Sequence, residues 1–417
     1  FKWATKEDAV IVDVVKNYVT DPKTFPGIYE GSLPERCWAL DNNRVLIETI
    51  WRSKTEIVVI NVQTGDLAAI TNKGERYGSW RLLDVYQDFV LASNSAPNRP
   101  PSLFLARLPP IGRESSDIAW HKLDSEMPRQ FDQLISDLFW DVLTLRREND
   151  VSEPVEFNDM QYESILHLPS SKKGSTDKLP PLIAIAHGGP HSTSVATWLP
   201  HVAFFVFSGY AVLRINYRGS LGFGDDFVNA LPGRIGKTDV LDCKHAIDVA
   251  LDRLTSVANE NTQRQVFLYG GSHGGFLTAH LIGQYPGFAK AAVAINPVLN
   301  LASKVFETDI PDWNVFETFA TAYNPADKIN GEQLAKMLEK SPIHYVDSVI
   351  TPLMVAIGEN DMRVPCAQIK KYTEILRARK VPLRVMCYPG NNHAIANIDA
   401  EANEIINALL WFDSYCQ

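Results

Sequence analysis

The stretch Tyr269-Gly270-Gly271-Ser272-His273-Gly274-Gly275 constrains this chain more than any other. It sets a serine between Gly270 and Gly274, after the apolar run Gln265–Tyr269 and before the helical apolar pattern Phe276–Tyr285, which Pro286 stops. A G-x-S-x-G pattern carries meaning in such a strand–turn–helix context. There the glycines let the backbone turn sharply, the serine oxygen stands clear above the sheet, and the helix N-terminus faces the reacting carbonyl. The sequence therefore predicts a nucleophile elbow at Ser272, built on an α/β sheet.

A serine needs a histidine base oriented by a carboxylate. On this kind of sheet the partners follow in the order serine, acid, histidine, each in a loop after a strand. The apolar run Pro352–Ile357 ends in Gly358-Glu359-Asn360-Asp361-Met362-Arg363, a polar turn that offers both Glu359 and Asp361 as the acid, with Asp361 preferred. The strand-like run Leu383–Tyr388 is followed by Pro389-Gly390-Asn391-Asn392-His393, which makes His393 the expected base. Acyl transfer also requires donors for an oxyanion. The strand Leu182–Ala186 runs into His187-Gly188-Gly189-Pro190-His191. Pro190 has no N–H, so Gly189 is the expected donor in that turn, with the His273 amide as the second. His187 reads as a structural loop histidine, and His191 as either a loop residue or a substrate contact.

These residues carry a resemblance to a family. The segments His187–His191, Asn216-Tyr217-Arg218-Gly219-Ser220, Gly222-Phe223-Gly224, Gly270–Phe276, His280–Pro286, Thr308-Asp309-Ile310-Pro311-Asp312-Trp313 and Lys340-Ser341-Pro342-Ile343 are similar to those of the prolyl oligopeptidase clan of serine peptidases. Within the clan they most resemble the acylaminoacyl peptidases, also called acylamino-acid-releasing enzymes. The resemblance covers about residues 160–417 closely and the preceding part loosely. It implies a catalytic set of Ser272, Asp361 and His393, with the Gly189 and His273 amides as the oxyanion hole, and no metal or organic cofactor. It also implies release of an N-acylated amino acid from short blocked peptides. A broader oligopeptidase or esterase and a non-catalytic propeller scaffold are the alternatives.

Charge bears on the substrate. An aminopeptidase must neutralise a free ammonium, and no carboxylate pair for that purpose is evident in the sequence. An acylated terminus instead presents a carbonyl acceptor, and Arg363, two positions after Asp361, is placed to donate to it or to the peptide backbone, a role the resemblance supports. The competing reading pairs Arg363 with Glu359 or Asp361 at the surface. Gly219–Gly224 lacks the lysine-serine ending and the strand–helix context of a phosphate loop. Asp225 and Asp226 read as loop or helix-start residues rather than metal ligands, and Trp198, Phe204 and Phe205 either pack a helix, the preferred reading, or line a substrate pocket.

With 40 basic and 49 acidic residues the formal charge is −9, which opposes a nucleic-acid partner. No apolar run approaches the roughly 20 residues of a membrane span, and no secretion signal opens the sequence. Five cysteines without C-x-x-C pairing fit reduced thiols and a cytoplasmic location.

Up to about residue 160 the rhythm is all-β, with strand-like runs at Ala9–Val15, Arg44–Ile50, Glu56–Asn61, Asp88–Ala92 and Ser102–Ala106. Marks at Val10, Val45 and Phe89 are 35 and 44 positions apart, near the period of propeller blades. The sequence thus predicts two domains. Residues 1–160 would form part of a β-propeller, incomplete at three or four blades of roughly 40–45 residues. Residues 161–417 would form an α/β-hydrolase domain, a mainly parallel sheet with helices on both faces. The polar stretch 170–178 is expected to be a hairpin or surface connection. Open blades leave unpaired edges, so a homo-oligomer is expected, or a separate upstream segment that completes the ring.

Overall fold

A computed structural model describes residues 9–29, 33–72, 77–123, 129–147, 160–169, 179–255 and 265–416, so the expected connection at 170–178 lies outside the described residues. The chain divides into two compact units. The first comprises Phe1–Trp140, Thr193–Ala203 and Leu221–Phe227, and the second Asp141–Ser192, Phe204–Ser220 and Val228–Gln417.

The first unit holds two antiparallel meanders. Strands β1 (Arg44–Trp51), β2 (Lys54–Asn61) and β3 (Leu67–Ala69) pair in sequence order. The β1–β2 register runs from Arg44↔Asn61 to Trp51↔Lys54, leaving Arg52 and Ser53 as a two-residue turn in which Arg52 takes a φ of 56°. The second meander contains β4 (Ser79–Tyr86), β5 (Phe89–Ala96), β6 (Arg99–Arg107) and β7 (His121–Lys122). Inward residues of both sheets, among them Leu46, Ile57, Val59, Trp80, Val90 and Phe104, share one apolar core. Helices α1 (Glu114–Asp117) and α2 (Arg129–Ser136) follow β6 and β7. The expected strand at Ala9–Val15 is absent: Val10 and Val14 are exposed, and Val12 packs on the core beside β1 and β2 without joining a sheet. The first of the three blade marks therefore does not lie on a strand, and β4 is a strand the sequence reading did not include.

The second unit is built on an eight-stranded sheet in the order β15-β14-β13-β12-β10-β11-β9-β8. Its strands are β8 (Phe139–Arg146), β9 (Gln161–Leu168), β10 (Leu182–Ala186), β11 (Ala211–Asn216), β12 (Val266–Gly271), β13 (Ala291–Ile295), β14 (Leu353–Gly358) and β15 (Leu383–Tyr388). Strands β10 to β15 pair in parallel and β9 pairs antiparallel to β11. The two units part at Trp140 rather than at the expected residue 160, because β8 belongs to this sheet.

The remaining helices are α3 (Pro200–Phe207), α4 (Asp225–Asn229), α5 (Thr238–Thr255), α6 (His273–Gln284), α7 (Leu301–Lys304), α8 (Pro311–Phe319), α9 (Gly331–Glu339), α10 (Cys366–Ala378) and α11 (Ile398–Asp413). Phe205 of α3 meets Phe412 of α11, which gives Phe205 the packing role expected of it. Asp225 and Asp226 open α4, as expected. The strand order reverses around β10, flanked by β11 and β12, the kind of switch point beside which α/β sheets place their sites. No helix among the described residues is long and apolar enough to cross a membrane.

Candidate active site

Ser272 stands between β12 and α6 with φ 57° and ψ −120°, a conformation that costs energy for a residue with a side chain and recurs at functional turns. The neighbouring glycines are required by contact. A Cβ on Gly270 would lie 2.3 Å from the Gly274 carbonyl oxygen, and one on Gly274 would lie 2.1 Å from the Ala186 carbonyl oxygen. The Ser272 amide is anchored to the Ile295 carbonyl at 2.9 Å, and its own carbonyl accepts the Phe276 amide at 3.0 Å.

Three loops bring polar groups to this serine. His393 Nε2 lies 3.0 Å from Ser272 Oγ, and its Nδ1 lies 2.7 Å from Asp361 Oδ2. The other carboxylate oxygen of Asp361 accepts the amides of Arg363 and Val364, both at 2.9 Å, so the acid is locked by its own loop. Asn296 donates to the His393 carbonyl at 2.9 Å and accepts the Gly358 amide at 2.8 Å, tying the base loop to the end of β14. Glu359, the other candidate acid, is exposed.

The turn at 187–191 borders the nucleophile: a Cβ on Gly188 would sit 3.3 Å from Ser272 Cβ and 3.9 Å from its Oγ. Gly189 has a φ of 121°, a region that a side chain disfavours. The helix α8 grips this turn twice. Trp313 Nε1 donates to the Gly189 carbonyl at 3.0 Å, and one helical turn later Glu317 Oε1 pairs with His191 Nε2 at 3.0 Å. His191 Nδ1 pairs with the Gly219 carbonyl at 2.8 Å. Burial works against the imidazolium, but Glu317 outweighs it and the His191 pKa is raised. Both ring nitrogens of His191 are thus engaged within the protein, which disfavours the expected role as a polar substrate contact. His187 stacks on Tyr217 with ring centroids 4.4 Å apart, and burial pulls its pKa down to about 4, in keeping with a structural role.

His273, whose amide is the second expected oxyanion donor, is fully buried and lies at the start of α6, where backbone N–H groups lack helical acceptors. Its ring Nε2 pairs with Asp239 Oδ2 at 2.9 Å, and Asp239 is itself buried in the first turn of α5. The ring stacks on Phe276 at 4.8 Å and meets Trp313 edge-on at 6.0 Å.

Arg363 does not pair with Glu359 or through its side chain with Asp361. Its guanidinium binds Asp309 through Nε at 2.9 Å and Nη2 at 3.2 Å. This bond raises the arginine pKa and lowers that of Asp309, and the pair is largely exposed. Sequence reasoning attached no chemistry to Asp309, and it singled out neither Asp239 nor Glu317. Among the described residues no group of three or more His, Cys, Asp or Glu side chains is placed to hold a metal.

Comparison with known proteins places these features in context. The family model described as prolyl oligopeptidase family matches residues 198–417, and that of the acylamino-acid-releasing enzyme N-terminal domain matches residues 2–136. Acylamino-acid-releasing enzymes of Rattus norvegicus and Homo sapiens are 39% and 38% identical to the chain, over 100% of its length and 54% of theirs. The chain therefore spans about half the length of the curated relatives it matches. In fold it is similar to Pyrococcus horikoshii acylaminoacyl peptidase, with a TM-score of 0.71 at 18% identity over 90% of this chain and 54% of that one. A puromycin hydrolase gives a TM-score of 0.72 at 19% identity over 92% of this chain and 54% of that one.

Proposed function

Because the chain belongs to the prolyl oligopeptidase family, we propose that it carries the catalytic half of a serine peptidase that releases an N-acylated amino acid from short blocked peptides. The observation that carries this reading is the hydrogen-bonded line from Ser272 through His393 to Asp361, set at the ends of β12, β14 and β15. In the proposed reaction His393 takes the Ser272 proton as the oxygen attacks the scissile carbonyl, while Asp361 orients the imidazole and stabilises its charged form. The Gly189 and His273 amides hold the oxyanion. The proton then passes to the leaving amine, an acyl-enzyme remains, and water activated by His393 releases the acylated amino acid.

Specificity for a blocked terminus is assigned to Arg363. Asp309 fixes the guanidinium through Nε and Nη2, and the half-exposed side chain retains donor capacity for the acyl carbonyl or the peptide backbone. The 38–39% identity to acylamino-acid-releasing enzymes supports this substrate class over a general esterase. The antiparallel meanders of the first unit support a partial β-propeller, and five free cysteines are in keeping with a cytoplasmic setting. A homo-oligomer belongs to the same proposal.

A cleavage panel of one peptide in acetylated, formylated and free-amine forms tests the reading. The blocked forms are expected to be cleaved and the free amine largely spared. Equal cleavage of all three would favour a broader oligopeptidase, and no cleavage with no active-serine labelling would favour a scaffold.

A further inference from the structure

We propose that Lys304 is a positioning residue for the oxyanion turn and acts through Trp313, holding the indole from its face while the indole N–H holds the Gly189 carbonyl. The inference rests on the serine-hydrolase reading above. Lys304 ends α7 and is 1% exposed. Its Nζ donates to Asn314 Oδ1 at 2.7 Å and lies 4.6 Å from the centroid of the Trp313 ring. Asn314 in turn donates to the Leu301 carbonyl at 2.9 Å, so this one residue of α8 is bonded to the first and the last residue of α7.

A buried ammonium is a costly filler, and a methionine would occupy similar volume without a charge to desolvate. The placement of this charge has a specific consequence. A cation over the ring face is attracted by the indole π density and polarises it, which strengthens the N–H as a donor. That N–H is bonded to Gly189 O at 3.0 Å, and the same ring meets His273 at 6.0 Å. One indole therefore touches both residues whose amides form the proposed oxyanion hole, and Lys304 fixes that indole from behind.

Asp309 and Asp312 at the start of α8, and Asp361 and Arg363 on the acid loop, are the charged groups that face Lys304. Burial is the largest influence and draws its pKa down to about 7. The lysine charge is present below that value and is lost as pH rises through it.

The test compares the 417-residue chain with Lys304→Met, Trp313→Phe and the double variant, using the rate of fluorophosphonate labelling at Ser272 together with kcat and KM on an N-acetylated substrate. Lys304→Met is expected to slow labelling and kcat about tenfold and leave KM within about twofold, with a modest fall in Tm because the buried Asn314 Oδ1 loses its donor. Trp313→Phe keeps a ring and loses the N–H, and the double variant is expected to be no slower than the slower single one. The wild-type to Lys304→Met rate ratio should shrink as pH is raised past about 7. Labelling of Lys304→Met at the wild-type rate, multiplying effects in the double variant, or a pH-independent ratio would each overturn the proposal. A wild-type chain that takes no label removes the serine-hydrolase reading and the proposal with it, whereas normal wild-type labelling with an indifferent Lys304→Met removes the proposal alone.

Discussion

Glu404→Gln gives a sharp test of the electrostatics behind the nucleophile strand. Glu404 on α11 is 4% exposed, and its Oε2 accepts the hydroxyl of Tyr269, the residue just before the elbow glycines, at 2.9 Å. The second carboxylate oxygen is buried and finds no hydrogen-bond partner among the described residues. Burial pushes the Glu404 pKa up from 4.5 to about 7. An acid whose native pKa is raised stabilises the fold below its unfolded value and loses that contribution as pH climbs through the native value. Between roughly pH 5 and pH 8 the loss from this one group integrates to about 2.5 kcal/mol. Glutamine has the shape of the neutral acid and does not titrate. The gap in Tm between Glu404→Gln and wild type should therefore move in the variant's favour by roughly 5 °C over that range. Thermal scans of both proteins across the range, by calorimetry or intrinsic fluorescence, measure it directly. A gap that stays constant with pH would show that Glu404 is already ionised in the native state and that the burial argument fails.

Other expectations follow from the site. Arg363→Ala should narrow the preference for blocked over free peptides, with a loss of about 1.5–3 kcal/mol in kcat/KM for the blocked form and little change for the free one; an unchanged ratio would contradict the assigned role. Asp239→Ala leaves the buried His273 ring without its partner, so it should cost about 1–3 kcal/mol of stability and lower kcat, and Asp239→Asn, which keeps an acceptor, should restore much of both in unfolding and kinetic measurements. Light scattering should find the chain associated in solution, because open meanders expose strand edges; a monodisperse monomer would contradict the homo-oligomer proposal.

The site was more legible in the sequence than its supports. Ser272, Asp361 and His393 each end a strand-like run, and the order of those runs along the chain told which loops would converge. The strand Leu182–Ala186 has its expected bounds because a parallel strand buried on both faces reads as a continuous apolar run, and the edge strand Leu383–Tyr388 has its expected bounds as well. The supporting residues gave no such signal. Asp309 lies 54 positions from Arg363, and Glu317 lies 126 from His191, and neither separation follows from a local period. A retrospective clue exists in Trp313 and Glu317, whose i,i+4 spacing puts them on one face of α8. In the first unit, the apolar run at Ala9–Val15 does not become a strand: Val12 packs on the core while Val10 and Val14 stay exposed, so apolar character there does not bring sheet pairing. The boundary was misplaced because β8, with its polar Asp141 and Thr144, resembles the meanders before it more than the sheet it joins.

The central claim is that Ser272 is the nucleophile and His393 its base. Its most direct test is to treat the chain with a fluorophosphonate probe, locate the adduct by mass spectrometry, and repeat the labelling on Ser272→Ala and His393→Ala. The account predicts a single adduct on Ser272, absent from the alanine variant of the serine and slowed by orders of magnitude when His393 is removed. An adduct on another serine, or labelling of Ser272 that is indifferent to His393, would contradict it.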